Sequence, residues 1–189
     1  MVTDEELVAR LAAGNQAALQ ELLRRWDRPL FAFIARYTAD ADVEDLRQET
    51  WLRVVGAADR FDPSRRFSTW LFAIALNLCR DFARRRPAPV LAPTEVERVM
   101  GPQAPAGDPE AARQVRRLLA ELPETLRSAV ILRYYHDLSE EQMAEVMDVP
   151  RGTVKSRLHH AVHRLMELAG VRPRAGAASD AGSARGSRG

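Results

Sequence analysis

The chain has 189 residues, 46% of them hydrophobic and 29% charged, with a formal net charge of +2. The length suits one medium domain or two small ones, and the composition is that of a globular chain. The single Cys79 excludes an internal disulfide and any multi-cysteine zinc site, which fits a reducing cytosol. No apolar run is long enough to span a bilayer, and Met1–Glu6 is acidic where a signal peptide is basic. The expectation is a cytoplasmic protein without membrane insertion.

Taken in chain order, residues 4–86 read as helix with short breaks. Leu7, Leu11, Leu19, Leu22, Leu23, Trp26, Leu30, Phe33, Ile34 and Tyr37 recur at spacings of three and four. After a polar turn near Thr38, the pattern resumes through Val43, Leu46, Leu52, Val54 and Val55 and breaks near Gly56. Phe61-Asp62-Pro63-Ser64 is a loop signal, and Ser68 or Thr69 is expected to cap the next helix. That helix carries Trp70, Leu71, Ile74, Leu78 and Phe82 and stops before Pro87. Cys79 and Asp81, on this apolar-patterned helix, read as packing residues.

Residues 88–108 are rich in Pro and poor in large apolar side chains, the composition of an extended linker. Some 20 such residues reach about 60 Å. Helix returns over 109–168, restarting at Leu122-Pro123-Glu124. Residues 169–189 are almost entirely Gly, Ala, Ser and Arg, and are expected to be a disordered tail. The fold class is thus all-α: two small helical domains, 4–87 and 109–168, with a linker between them.

Charge comes in blocks. Residues 40–49 hold five acids (Asp40, Asp42, Glu44, Asp45, Glu49) against Arg47, and residues 60–86 hold seven arginines against Asp62 and Asp81. Residues 137–148 hold five acids and no base, whereas 151–166 hold Arg151, Lys155, Arg157 and Arg164 and no acid. Each module therefore presents an acidic and a basic block, as expected of a chain with different partners for each.

"LSEEQMAEVMDVPRGTVKSRLHHAVHRL" has the organisation of a helix-turn-helix. Ser139 and Gln142 form a capping box at the start of the first helix. Asp148-Val149-Pro150 makes the turn, and Val154, Leu158, Val162 and Leu165 face inward. That leaves Arg151, Gly152, Thr153, Lys155, Ser156 and Arg157 outward, types that suit phosphates and base edges in a major groove. The acidic first helix is expected to face away from DNA. His159 and His163 are spaced as a metal pair, but no third ligand is evident, so no metal or other cofactor is assigned.

"FDPSRRFSTWLFAIALNLCRDFARRR" interleaves aromatics with arginines. Phe67 and Trp70 flank a polar turn beside Arg65 and Arg66. Exposed aromatics in such a place stack on unpaired bases while arginines track the backbone.

With these motifs in order, the chain resembles an extracytoplasmic-function (ECF) sigma factor of bacteria along nearly its full length. "DVEDLRQETWLRV" is similar to the polymerase-binding segment of region 2, "FSTWLFAIALNLCRDFARR" to its promoter-melting and −10-reading segment, and "LPETLRSAVILRYYHDLSEEQMAEVMDVPRGTVKSRLHHA" to region 4, which reads the −35 element. The resemblance implies that Asp42, Glu44, Asp45, Gln48 and Glu49 face core RNA polymerase. It also implies that Arg65, Arg66, Phe67, Trp70, Asn77, Arg80 and Arg84 serve the −10 element, and that Arg151, Gly152, Thr153, Lys155, Ser156 and Arg157 serve the −35 element. Bacterial core polymerase and promoter DNA are then the partners. An anti-sigma protein is the usual regulator in this family, though no residue here identifies one. The tail is a departure to which the family motifs give no role. The rival reading is a stand-alone helix-turn-helix regulator, which predicts operator binding without polymerase. An enzyme is not expected, because no nucleophile–base pair and no phosphate-cradling glycine loop appear.

Overall fold

The computed structural model of the chain describes residues 2–37, 40–85 and 109–171. The expected linker and the tail beyond Val171 lie outside these residues. Among them there are eight α-helices and no strand. The N-terminal module comprises α1 (Asp4–Ala12), α2 (Gln16–Ile34), α3 (Asp40–Gly56) and α4 (Phe67–Arg85), with a 3-10 turn at Ala58–Arg60. The C-terminal module comprises α5 (Pro109–Ala120), α6 (Glu124–Tyr134), α7 (Glu140–Met147) and α8 (Arg151–Leu168).

Local signals set the helix ends. Thr3 and Glu6 form a capping box at α1, and the Asn15 carboxamide oxygen accepts the Ala17 and Ala18 amides at α2. At α4 the cap differs from expectation. The helix already begins at Phe67, whose amide donates to the Glu5 carboxylate of α1 at 3.0 Å. The cap comes from another helix, which holds the loop Phe61–Arg66 against the N-terminal segment. Ser139 and Gln142 form the expected capping box at α7, and Asp148 ends that helix in the left-handed conformation with φ 51°.

The N-terminal core is aromatic. Phe33, Phe67 and Phe72 are fully buried, and the Trp26 ring meets Phe67 and Phe72 edge-on at centroid distances of 5.9 and 6.2 Å. Asp27 ties α2 to α3 by accepting from Arg47 at 2.5 Å and from the Trp51 indole at 3.0 Å.

The two modules are not separate bodies. Leu138, Met143, Val146, Met147 and Val154 belong to the same apolar cluster as the N-terminal core, with α7 packed on α4. Among the described residues, Leu119, Leu122, Val130 and Ala161 form a second cluster. The contacts across the seam are reciprocal. The Arg36 guanidinium lies 3.9 Å from the Tyr135 ring centre, and that of Arg127 lies 5.7 Å from Tyr37. The His136 ring sits 4.5 Å from Phe72 and 5.5 Å from Phe33. Arg80 pairs with Glu124 at 3.0 Å and Arg65 with Glu145 at 3.3 Å. Half-exposed ion pairs contribute about 0–1 kcal/mol each, whereas burying one large apolar side chain contributes about 1.5–3 kcal/mol. The apolar seam therefore supplies the adhesion, and the ion pairs set its register.

Burial, aided by the positive charge of Arg36, lowers the His136 pKa from 6.5 to about 3. The unfolded chain then binds a proton between those values that the folded chain does not, so this contribution to stability is complete above pH 6.5 and lost as pH falls toward 3. Replacing His136 with Phe should flatten the decline of the urea midpoint across this window. An unchanged pH profile would sink the assignment.

Candidate polymerase and promoter interfaces

Helix α3 turns Val43, Leu46, Thr50, Trp51 and Val54 inward. The opposite face carries Asp45 and Gln48, both exposed, with Glu49 beside them. Its charges are held in place. Glu44 forms an ion pair with Arg47 and accepts from the Gln48 amide at 2.9 Å, while Glu49 accepts from Arg53 at 2.9 Å. These hydrogen bonds, Arg47 first and Gln48 second, lower the Glu44 pKa and keep it ionised. Two apolar residues read from sequence as part of the inward pattern lie on this outer face instead: Leu52 is 67% exposed and Val55 43%. They follow Asp45 and Gln48 at helical spacing, a signal hidden because Val54 and Val55 are adjacent and only one can point inward. The face is thus acidic with an apolar patch.

Helix α4 places Asn77, Arg80 and Arg84 along one stripe, at spacings of three and four. Asn77 is exposed, Arg84 is exposed and paired with Asp81, and Arg80 is engaged by Glu124 of the other module. Arg66 is exposed, whereas Arg65 reaches Glu145. Phe67 is a correction: its ring is fully buried among Trp26, Phe61 and Trp70, so it cannot stack on a base in this arrangement. Because α4 begins at Phe67 itself, the first turn carries that side chain into the core. Trp70 is only partly buried, its ring 4.9 Å from Phe61. Beside the Pro63–Arg66 loop an open cleft of about 780 Å³ runs between the N-terminal segment Val2–Glu5 and the Arg25–Trp26 edge of α2. Cys79 on the same helix is buried, and burial is the chief cause that pushes its thiol pKa up to about 12. It is a packing residue, as expected.

In the helix-turn-helix, α8 presents Arg151, Gly152, Lys155 and Ser156 to solvent. A Cβ at Gly152 meets nothing within 4 Å, so this first turn is open above its backbone. Thr153 and Arg157 are half-buried, and one terminal nitrogen of Arg157 is enclosed without a hydrogen-bond partner, which corrects the outward placement of that residue. The acids of α7 also engage the basic helix: Glu140 and Glu141 pair with Arg151 at 3.0 and 2.6 Å. Lys155 makes no ion pair among the described residues. His159 and His163 lie with ring centres 4.4 Å apart, and among the described residues no group of three or more His, Cys, Asp or Glu side chains is placed to hold a metal ion. None of the described helices is long and apolar enough to cross a membrane.

Two sigma-factor families match this arrangement: Sigma-70 region 2 over residues 22–87 and Sigma-70, region 4 over residues 112–165. The ECF RNA polymerase sigma-E factor of Escherichia coli K12 is 33% identical over 173 residues, covering 85% of this chain and 91% of that protein, and its counterpart in Salmonella typhimurium LT2 matches equally. The chain belongs to the ECF sigma factors. Among solved structures, CnrH in complex with the cytosolic domain of CnrY is similar at a TM-score of 0.69 and 31% identity, covering 88% of this chain and 97% of CnrH. RpoE in complex with the anti-sigma factor NepR from Bartonella quintana is similar at 0.65 and 26%, covering 82% and 97%. This ECF sigma factor is therefore an RNA polymerase sigma subunit that directs core polymerase to promoters, and core polymerase and promoter DNA are its partners.

Asp27 is the support for the α3 face. Asp27→Ala leaves Arg47 and Trp51 without their shared acceptor and should cost about 2 kcal/mol, since hydrogen bonds to charged groups contribute about 1.5–3 kcal/mol. The urea midpoint measures it. No change there would show that the Arg47 clasp is dispensable.

Proposed function

We propose the following division of labour for this sigma factor. The outer face of α3 docks on core polymerase, with Asp42, Glu44, Asp45, Gln48 and Glu49 meeting a basic surface and Leu52 filling an apolar site among them. Residues 4–87 read and melt the −10 element through Arg65, Arg66, Trp70, Asn77, Arg80 and Arg84. Residues 109–168 anchor at the −35 element through Arg151, Gly152, Thr153, Lys155, Ser156 and Arg157. Phe67 supports the melting loop from within the core rather than touching a base.

The observation that carries this reading is the open first turn of α8. Lys155, Ser156 and Gly152 are exposed together at a helix N-terminus, where backbone amides favour a phosphate. A phosphate of a DNA duplex fits there, and Lys155, which makes no ion pair among the described residues, is a cation ready for it. The cleft beside Arg65 and Arg66 has the size to take a base extruded during melting, and binding it offsets an unstacking cost of a few kcal/mol. Sigma factors act without catalysing a covalent step, and we assign none to this chain. It works in the cytoplasm with polymerase. An anti-sigma protein is its fitting regulator, supported by the similarity to RpoE, whose structure is a complex with one. The stand-alone regulator is not favoured, because the chain carries region 2 as well as region 4.

Run-off transcription with purified bacterial core polymerase on genomic fragments tests the function. Specific start sites that require the chain are expected. Absence of both transcripts and co-elution with core would overturn the reading. Lys155→Ala should weaken −35-dependent transcription by roughly tenfold, as loss of a 1–3 kcal/mol contact implies. Leu52→Ala should weaken co-elution with core polymerase by up to about tenfold and leave the fold intact by circular dichroism, because Leu52 is exposed in the free chain.

A further inference from the structure

The first turn of α1 forms one wall of the cleft in the N-terminal module, and the Pro63–Arg66 loop with Ser68 forms the other. Two adjacent carboxylates on α1 hold these walls in relation. Asp4 accepts from the Trp26 indole at 2.9 Å and from Arg25 at 2.8 Å, which fastens α1 to α2. Glu5 reaches the other way and accepts the Phe67 amide, the first of α4, at 3.0 Å. The circuit closes inside the core, where the Phe67 ring meets Trp26 edge-on at 5.9 Å. Within the loop, the Asp62 side chain accepts the Ser64 amide at 2.9 Å and its carbonyl accepts the Arg65 amide at 3.0 Å. Those local bonds shape the turn but do not fix where it stands on the module. Phe61 anchors its upstream end, 4.9 Å from Trp70, and Glu5 anchors its downstream end, between Arg66 and Ser68. Burial opposes the ionisation of Glu5, but the Phe67 amide and the Thr3 hydroxyl, with the charge of Arg66, outweigh it and lower its pKa. The cap is thus a carboxylate, a stronger acceptor than a neutral oxygen.

We infer that Glu5 is a positioning residue for base capture: by holding the start of α4 it sets the distance between the two walls, and so the shape an extruded base must fit. The inference rests on the assignment of the cleft to such a base. Helix α1 precedes residues 22–87, the stretch that matches Sigma-70 region 2, so that likeness carries no role for it. Glu5 acts here without touching the strand. Without its carboxylate the Phe67 amide loses its partner at the edge of the core, and the Arg66–Ser68 segment gains freedom. A base entering the cleft must then order that segment first, which offsets part of its stacking. The defect falls on the base-dependent part of strand binding, because phosphate contacts from exposed arginines tolerate a displaced loop. Glu6, the next residue, serves α1 alone, accepting the Thr3 amide at 3.2 Å in the capping box.

The test uses holoenzyme assembled from the full chain and core polymerase. The probe is a fluorescent single strand carrying the −10 element of a promoter recovered by run-off transcription, with binding read by anisotropy. The same strand with an abasic site at each −10 position in turn shows which base is captured. For the wild-type chain, one abasic site should weaken binding about tenfold, as loss of a stacked base implies. Glu5→Ala should shrink that ratio to about threefold or less, the loss of a charged hydrogen bond. Glu5→Gln keeps an acceptor oxygen for the Phe67 amide and should restore the ratio. Glu6→Ala removes the cap of α1 without touching α4 and should keep the wild-type ratio. A purely structural role would weaken binding of intact and abasic strands alike and leave the ratio unchanged. Equal ratios for Glu5→Ala and the wild-type chain therefore overturn the inference, and so does an equal shrinkage in Glu6→Ala. No abasic effect at any position in the wild-type chain removes the cleft as a base site, and the inference falls with it. Failure of the run-off assay counts against the functional reading instead. If Glu5→Ala no longer co-elutes with core polymerase, Glu5→Asp carries the comparison, since it keeps the charge but draws the carboxylate back from Phe67.

Discussion

Helix α4 is buried from two directions, and the rest of the structure follows from that constraint. Phe67, Leu71, Phe72, Ala75, Leu76, Leu78 and Cys79 are all enclosed, which leaves only a narrow polar strip along one side. The inner flank completes the aromatic core with Phe33 and Trp26. The outer flank receives α7. A helix with so wide an apolar face cannot stand at the edge of a three-helix packing without exposing part of it. The helix-turn-helix supplies the missing cover, and its own first helix gains a burial site that a four-helix module of about 60 residues does not offer by itself.

Charge is organised on the same principle. The chain alternates acidic and basic blocks along its length, and folding brings unlike blocks together. Arg151 is held by Glu140 and Glu141, Arg25 by Asp4 and Glu21, and Arg47 by Asp27 and Glu44. Among the side chains that stay in solvent are Asp45 and Gln48 on α3 and Lys155 and Ser156 on α8. A near-neutral sum conceals two oriented surfaces. Such a protein binds nucleic acid weakly through counterion release alone and gains specificity when polymerase presents it.

What the sequence made legible was local. The capping box at Ser139 and Gln142, the Asp148-Val149-Pro150 turn and the four-residue apolar spacing of α8 each depend on neighbours in the chain, and each is found as read. The motifs also sufficed for the family. The failures share a cause, which is contact between residues far apart in sequence. The cap of α4 is Glu5, 62 residues away, and the Arg65 partner is Glu145, 80 residues away. Phe67 reads as exposed because its neighbours are arginines and a serine, but the first turn of α4 points it at Trp26. Spacing alone also could not choose between Val54 and Val55, nor see that Pro-rich residues join modules that share one core.

Cys79 gives this closed arrangement a clock. The thiol lies in the apolar cluster and feels Glu124 and Arg127 of α6 strongly enough for both to bear on its ionisation. Buried, and with its pKa pushed up to about 12, the thiol is expected to react slowly with alkylating reagents while the helices stay together. Solvent that reaches the sulfur when the helices separate would bring it back toward the ordinary thiol range. The pace at which a small electrophile marks this one sulfur therefore reports how often the two halves of the molecule come apart, without a label or a foreign residue in the chain.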